Sequence, residues 1–317
     1  MPRFLRSSMT LAVAAILCVS CGGGGGSSSS SSTASSASGS SGSTSQTGNY
    51  STAGVLCSYS ESTFNSSPSV NATSTAVWSC TSSARQLSAN GLPDHAVGTF
   101  PNVNNPNTIS AQSVTPSFAL SPSLSGSSKT VQPTGYALNG VKFDPATAGS
   151  CDNSGSCTLV GNTGSWSIEA LGQSSFNFGV DSNNAHVQPN GAYHYHGMPN
   201  GLIAELGKGT AMTLVGWAED GFPIYARYGY SSANDAASAI KTLSGSYQLK
   251  STPDSGRPST SLYPMGTFSQ DYQYVAGSGD LDECNGRTGV TPEFPGGIYY
   301  YVITDSYPYI SRCVKGS

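Results

Sequence analysis

The chain has 317 residues, and its 13 Lys and Arg against 17 Asp and Glu give a formal net charge of −4 at pH 7. Nucleic-acid binding requires a basic face, so this composition argues against it and we expect no nucleic-acid partner. Only 9% of the residues are charged, while glycine, proline and tyrosine number 38, 18 and 17. Such a composition has few strong helix formers and favours short strands joined by loops.

The N-terminus has the pattern of an export signal. Arg3 and Arg6 precede an apolar run over residues 9–19, and Cys21 follows closely. About eleven apolar residues are too few for a membrane-spanning helix, which needs about 20. We predict a signal peptide over residues 1–20 and lipidation of Cys21. The protein would then be anchored in the cell envelope, at the outer membrane or the periplasmic face. The alternative is a plain secretory signal, which would leave the protein secreted and Cys21 a free thiol.

Residues 21–49 have the composition of a flexible tether, because glycine and serine dominate and apolar side chains are almost absent. About 27 such residues have a root-mean-square reach of roughly 25–30 Å, which lifts a domain clear of lipid head groups. The remaining residues, 50–317, are long enough for one large domain. We predict a single β-rich domain over this range.

Six further cysteines lie in the predicted domain. An even number of cysteines in an exported protein indicates disulfides, and six cysteines permit 15 pairings. No pair is spaced like a zinc knuckle. Proximity along the chain favours the pairs Cys57–Cys80, Cys151–Cys157 and Cys284–Cys313.

Short apolar or alternating runs, bounded by Gly, Pro, Asn and Ser, predict many strands. These runs cover residues 76–79, 113–120, 136–143, 165–171, 193–196, 212–218, 224–228, 273–275 and 298–304. One short helix is predicted over residues 232–243, where Ser232 or Asn234 can cap its start and Gly245 ends it. We therefore predict a mostly β fold, an antiparallel sandwich or distorted barrel with long Gly/Pro-rich loops, one short helix and up to three disulfides.

Three of the four histidines lie within eleven residues, at positions 186, 194 and 196. Alternate residues of a strand share a face, so His194 and His196 point to the same side, about 6–7 Å apart at their α-carbons. A turn over residues 189–191 returns His186 toward them. Three imidazoles with an open position are typical of catalytic zinc, and imidazole also suits copper. We predict a transition-metal site for zinc or copper; the alternative is hydrogen-bonded strand histidines packed beside tyrosines.

The histidine segment has an echo within the chain. Residues 184–196 resemble residues 285–302, and Arg287, Tyr300 and Val302 stand where the first segment has its three histidines. Two copies of one hairpin-like unit explain this similarity, and so does chance in a chain rich in Gly, Pro and Tyr.

The run Tyr193-His194-Tyr195-His196 resembles the signature of the YHYH-domain family. Further segments resemble the family in order, namely 184–191, 216–225, 256–258, 279–286, 291–295 and 307–309. The resemblance covers about residues 92–317. It implies an envelope or secreted protein with a suspected metal site. Because residues 299–302 read Tyr-Tyr-Tyr-Val where some members repeat the His-rich motif, two identical metal sites are not expected.

Other polar residues are candidates for the site. Asp220 lies in a tight turn, where it either bonds the backbone or completes the metal shell as a ligand or a partner of a ligating histidine. His95 follows Asp94 and is a candidate fourth ligand or a loop histidine oriented by that acid. Arg257 and Arg287 can clamp a carboxylate or phosphate of a ligand, or tie loops together.

Asp280, Asp282 and Glu283 concentrate negative charge and are candidate calcium ligands. Oxygen ligands suit calcium, although the spacing differs from that of an EF-hand loop.

Three functions follow from these patterns. The first is an envelope domain that binds a transition metal. The second is a metal-dependent envelope hydrolase or oxidoreductase, in which the open position activates water or handles oxygen. The third is a non-catalytic adhesion or ligand-binding module with structural histidines. The sequence carries no signature of the common hydrolases or nucleotide enzymes, so it leaves enzymatic activity open and specifies no protein or small-molecule partner.

Overall fold

A computed structural model describes residues 52–317, so the predicted signal peptide, Cys21 and tether lie outside the described range. The described chain is mostly β, as predicted, and its sheets are open and do not close into a barrel. No helix in residues 52–317 is long and apolar enough to cross a membrane.

The regular elements follow in chain order. The helices are α1 (Gly54–Cys57), α2 (Asn200–Leu206) and a 3₁₀ turn (Ser269–Asp271). The strands are β1 (Ser60–Asn65), β2 (Ala72–Cys80), β3 (Ala84–Ala89), β4 (Ser117–Ala119), β5 (Leu124–Lys129), β6 (Gly135–Ala137), β7 (Lys142–Phe143), β8 (Ser150–Cys151), β9 (Cys157–Thr158), β10 (Trp166–Ser167), β11 (Ala185–Val187), β12 (Tyr193–Tyr195), β13 (Thr213–Ala218), β14 (Pro223–Ala226), β15 (Tyr228–Tyr230), β16 (Ile240–Thr242), β17 (Tyr247–Leu249), β18 (Tyr272–Tyr274), β19 (Gly286–Gly289), β20 (Ile298–Ile303) and β21 (Val314–Gly316). Every predicted strand run contains at least part of one of these strands.

The central sheet has eight strands in the order β11-β12-β7-β6-β13-β14-β20-β19. Most neighbours are antiparallel, but β12 pairs with β7 and β14 pairs with β20 in parallel. The sheet is therefore mixed. A separate antiparallel sheet, β1-β2-β3-β4, is formed by the N-terminal part of the described chain.

The central sheet consists of two equivalent halves. From its middle outward, the first half has the strand order β6, β7, β12, β11, and the second half has the order β13, β14, β20, β19. In each half the first two strands in the chain are innermost, and the fourth strand lies between them and the third. The registers also agree, because Phe143 lies opposite Tyr195 in the first half and Ile224 lies opposite Tyr301 in the second. The echo found in the sequence is thus a structural repeat, and chance similarity is excluded as its explanation.

Glycines at the junction of the halves also support the structural repeat. Gly135 and Gly216 occupy equivalent places on β6 and β13, the two strands that meet at the centre. A Cβ on Gly135 would lie 2.5 Å from the carbonyl oxygen of Trp217, and one on Gly216 would lie 2.3 Å from that of Tyr136. Only glycine lets the two backbones approach this closely.

The two faces of the central sheet bury different cores. Tyr193, Tyr195, Tyr299 and Tyr301 lie on one face, in a cluster of buried apolar residues that includes Leu202 of α2. On the other face, Trp217, Tyr225 and Tyr300 pack with Trp78, Leu87 and Phe118 of the four-stranded sheet. Because successive side chains of a strand alternate between faces, the tyrosines and the histidines of β12 are separated by the sheet.

The three predicted disulfides are confirmed. Their Cα–Cα distances are 5.1 Å for Cys57–Cys80, 4.0 Å for Cys151–Cys157 and 5.1 Å for Cys284–Cys313. Disulfides of this kind typically stabilise a fold by about 2–4 kcal/mol each.

The helix predicted over residues 232–243 is wrong. Ser238 donates its hydroxyl to the carbonyl of Asp235 at 2.7 Å, and the Asp235 carboxylate accepts the N–H of Ala237 at 2.9 Å, so side chains hold turns there. Residues 240–242 form β16 instead. Most of the segment is exposed and has no apolar face to bury, and short helices depend on such burial. Helix α2 was missed, although Gly207 ends it in the left-handed conformation.

Candidate metal centre

The hairpin of β11 and β12 brings the three clustered histidines together. His186 lies directly opposite His194, and His196 follows two residues later on the same face. The ring centroids are 4.7 Å apart for His186 and His194, 4.7 Å for His186 and His196, and 4.6 Å for His194 and His196. One ligand atom from each ring lies within 4.8 Å of the others. Three rings at nearly equal separations surround a common point, where a metal ion can be held.

Backbone carbonyls bind Nδ1 of two of the histidines and leave their Nε2 atoms directed at the cluster. The Nδ1–H of His186 donates to the carbonyl of Phe178 at 2.8 Å, and the Nδ1–H of His194 donates to that of Ala192 at 3.2 Å. A carbonyl can only accept, so both rings carry their proton on Nδ1 and offer the Nε2 lone pair. This arrangement resembles that of histidines oriented around bound metals.

His196 completes the group. Its Nε2 lies 3.0 Å from the Nε2 of His186, and two nitrogens bound to one tetrahedral zinc lie roughly 3.3 Å apart when each is about 2.0–2.1 Å from the ion. The other ring nitrogen of His196, Nδ1, is buried and has no hydrogen-bond partner among the described residues. The close approach of the two Nε2 atoms is therefore the feature of His196 that fits a shared ion.

Burial keeps the three imidazoles uncharged. It lowers the pKa of His186, and it lowers the pKa of His194 and His196 well below the usual value, with the neighbouring imidazoles adding to the effect for the latter two. Neutral imidazole is the form that binds metals, so the cluster is in its binding form at neutral pH.

Strand β7 adds a charged pair beside the histidines. Lys142 lies opposite His194, and its ammonium group is 3.2 Å from the carboxylate of Asp144. Asp144 also accepts hydrogen bonds from Gln132 at 2.6 Å and Gln188 at 3.0 Å. Its negative charge partly opposes the effect of burial on the pKa of two of the histidines. Asp144 is therefore an acid that sequence reasoning missed, and no local signal marked it, because the parallel pairing of β7 with β12 places it there.

Asp220 and His95 do not join the cluster. Asp220 lies in the second half, where its carboxylate accepts the hydroxyl of Tyr301 and the N–H of Gly316 at 2.8 Å. His95 contacts the hydroxyl of Tyr195 through Nε2 at 2.6 Å, on the opposite face of β12 from the clustered histidines. Both were expected as candidate members of the metal shell, and the tertiary structure gives each of them structural partners elsewhere.

The two arginines also have internal partners. Arg257 is buried, and its guanidinium forms a bidentate pair with Asp271 at 2.6 and 2.7 Å. Its other N–H groups donate to backbone carbonyls, so it ties loops together and is not placed to clamp a ligand. Arg287 donates to the hydroxyl of Tyr300 at 2.6 Å and to the carbonyl of Tyr230 at 2.7 Å.

The acids proposed for calcium are paired with lysines. Lys241 contacts Asp280 at 2.5 Å, and Lys315 contacts Asp282 at 3.2 Å and Glu283 at 2.9 Å. An ammonium group competes with a cation for these oxygens. In the part of the chain that the structure describes, the three histidines are the group of side chains that meets the geometry of a metal site.

A cleft of about 540 Å³ opens onto the cluster, and His186 and His194 form part of its wall. His194 and His196 are almost fully buried, while His186 is partly exposed. A metal held by the three rings would thus be approached from the cleft on the His186 side.

These features define a disulfide-bonded, mostly β domain with a buried three-histidine group on an edge hairpin. The sequence model of the YHYH protein family matches residues 115–316. The chain belongs to this family, and the match begins later than the resemblance from residue 92 indicated. No curated protein and no solved structure matches the chain significantly.

Proposed function

We propose that this protein binds a transition metal, zinc or copper, in the cell envelope through His186, His194 and His196. The observation that carries the proposal is the convergence of three uncharged imidazoles, with ring centroids 4.6–4.7 Å apart. Uncharged nitrogen ligands without a thiolate or carboxylate suit zinc and copper better than calcium or magnesium.

The envelope location rests on the N-terminal sequence and is supported by the three disulfides, which persist in oxidising compartments. Lipidation of Cys21 would hold the domain at the membrane. Replacement Cys21→Ser is expected to abolish incorporation of labelled fatty acid and to release the protein from the membrane fraction. Unchanged labelling would contradict the anchor.

A metal-dependent enzyme is the second candidate, and the cleft beside His186 and His194 favours it. A metal held by three imidazoles supplies a Lewis acid with an open position for water or substrate. In this arrangement the chain's own contribution is positional: carbonyl oxygens orient two of the rings, and burial keeps all three unprotonated.

Elemental analysis of the full chain, after loading with Zn²⁺ or Cu²⁺ and removal of excess metal, tests the proposal. We expect about one metal per chain in the native protein and almost none in His194→Gln/His196→Gln, because two of three ligands are lost. The matched control is His95→Gln, which removes a histidine outside the cluster and is expected to retain the metal.

Folding of each variant is checked by circular dichroism. Equal metal content in the native protein and the double variant would refute the site. Metal binding that is absent from the native protein as well would favour the module with structural histidines.

A further inference from the structure

The cleft beside the histidines has an apolar side. Leu159 and Val160 lie on the loop that follows the Cys151–Cys157 disulfide, and they are 48% and 70% exposed. Together with Phe178 they line the cleft. Two adjacent, exposed aliphatic side chains on the wall of one cavity are unfavourable in water, and a bound apolar group would cover them.

The remaining wall has no charged side chain. It contains five amide side chains beside Pro, Ala and Val residues, and among the described residues no Asp, Glu, Lys or Arg lines the cleft. Asn105 and Asn107 each donate one N–H to the carbonyl of Val187, at 3.0 and 2.7 Å. A metal held by the three neutral imidazoles would therefore supply the charge that a ligand meets in the cleft.

The nearest charges, behind Gln188, neutralise each other. Lys142 and Asp144 pair at 3.2 Å, and Gln188 binds both of them, accepting from Lys142 at 2.7 Å and donating to Asp144 at 3.0 Å. The side chains around the cleft thus add no net charge to that of the metal.

We propose that this cleft binds a small organic molecule whose apolar body covers Leu159 and Val160 and whose nitrogen or oxygen donor reaches the metal. This inference rests on the proposed metal site. A cavity of about 540 Å³ is within the range that holds small-molecule ligands. Because Nδ1 of both His186 and His194 is bonded to backbone carbonyls, the Nε2 side of these rings is where ligand and metal would meet.

The test compares two probes that share one donor group, namely imidazole and 4-phenylimidazole. Their affinities for the Zn²⁺-loaded full chain are measured by calorimetry at pH 8. We expect 4-phenylimidazole to bind at least about tenfold more tightly than imidazole, because its ring buries apolar area against the cleft.

Replacement Leu159→Ser/Val160→Ser is expected to reduce the advantage of the phenyl group to less than about threefold. The matched control is Leu249→Ser, because Leu249 is 47% exposed and lies outside the cleft. It should leave the advantage unchanged.

Equal affinity for imidazole and 4-phenylimidazole, or no binding of either to a chain that holds zinc, would overturn the cleft inference and leave the metal site standing. A chain that takes up no metal would overturn the metal site and, with it, this inference.

Discussion

The two halves of the central sheet share strand order and register, yet only the first half has the clustered imidazoles. Asn184 and Asn285 both adopt the left-handed conformation, with φ of 54° and 58°. The carbonyl of Asn184 accepts the N–H of His196 at 2.8 Å, and that of Asn285 accepts the N–H of Val302 at 2.9 Å. The framework therefore forms with either set of side chains.

In the second half, Arg287 and Tyr300 occupy the places of His186 and His194 and bond to each other at 2.6 Å. That pair satisfies its own polar groups. The first half instead buries three neutral imidazoles and leaves a nitrogen of His196 without a partner. The comparison teaches that the histidines are not needed to build the sheet, which points to a function for them.

The most stringent test of this comparison replaces the three histidines with the residues that stand at the equivalent positions of the second half. The variant His186→Arg/His194→Tyr/His196→Val should bind metal at least about 100-fold more weakly, because all three ligands are lost. Near-ultraviolet circular dichroism should remain native-like, because these residues are accommodated in the second half. Retained metal affinity would contradict the site, and an unfolded chain would contradict the equivalence of the halves.

The hairpin turns of the two halves offer a second test. Asn139 donates to Asp94 at 2.8 Å and to the hydroxyl of Tyr195 at 3.0 Å, whereas the equivalent Asp220 accepts from Tyr301 and backbone N–H groups. Replacement Asn139→Asp should lower the free energy of unfolding by about 3 kcal/mol at pH 8, because a donor is lost and two buried carboxyl groups meet.

Replacement Asp220→Asn should lower the free energy of unfolding less, by about 1–2 kcal/mol, since an amide oxygen still accepts those bonds. Urea denaturation measures both. Adding Asp94→Asn to Asn139→Asp should recover part of the loss, and a reversed order of the two single effects would contradict this account.

An effect of similar size depends on pH and concerns Glu61 of β1 and its neighbour Asp94. Burial, and then the charge of Asp94, raise the pKa of Glu61 to about 7 from its usual 4.5. The folded state thus holds this proton more tightly than the unfolded chain, so its contribution to stability is fully present below pH 4.5 and is lost as the pH rises through 7.

Replacement Glu61→Gln removes this loss. The free energy of unfolding of the variant, relative to that of the native protein, should therefore be higher at pH 8 than at pH 5 by roughly 2 kcal/mol. Urea midpoints at the two pH values measure this change. The exposed Asp235→Asn variant should leave the pH dependence unaltered, and an equal pH dependence of Glu61→Gln and the native protein would contradict the raised pKa.

Much of the site was predictable from local sequence. Alternation along β12 placed His194 and His196 on one face, and the turn through Gly191 returned His186 to them. Proximity also predicted the disulfide pairs. The helix over residues 232–243 failed for a physical reason, because local capping signals do not report whether an apolar face will have a partner.

The sequence by itself determined the mostly β fold class, the disulfide pairing and the close placement of the three histidines, because each depends on contacts between residues near in the chain. Only the tertiary structure decided that β7 pairs in parallel with β12, which brings Lys142 and Asp144 beside the cluster. It also decided that Asp220 and His95 lie elsewhere and that residues 159–160 wall a cleft at the histidines. Parallel pairing and cavities join residues that are distant in the chain, and no local pattern encodes such contacts.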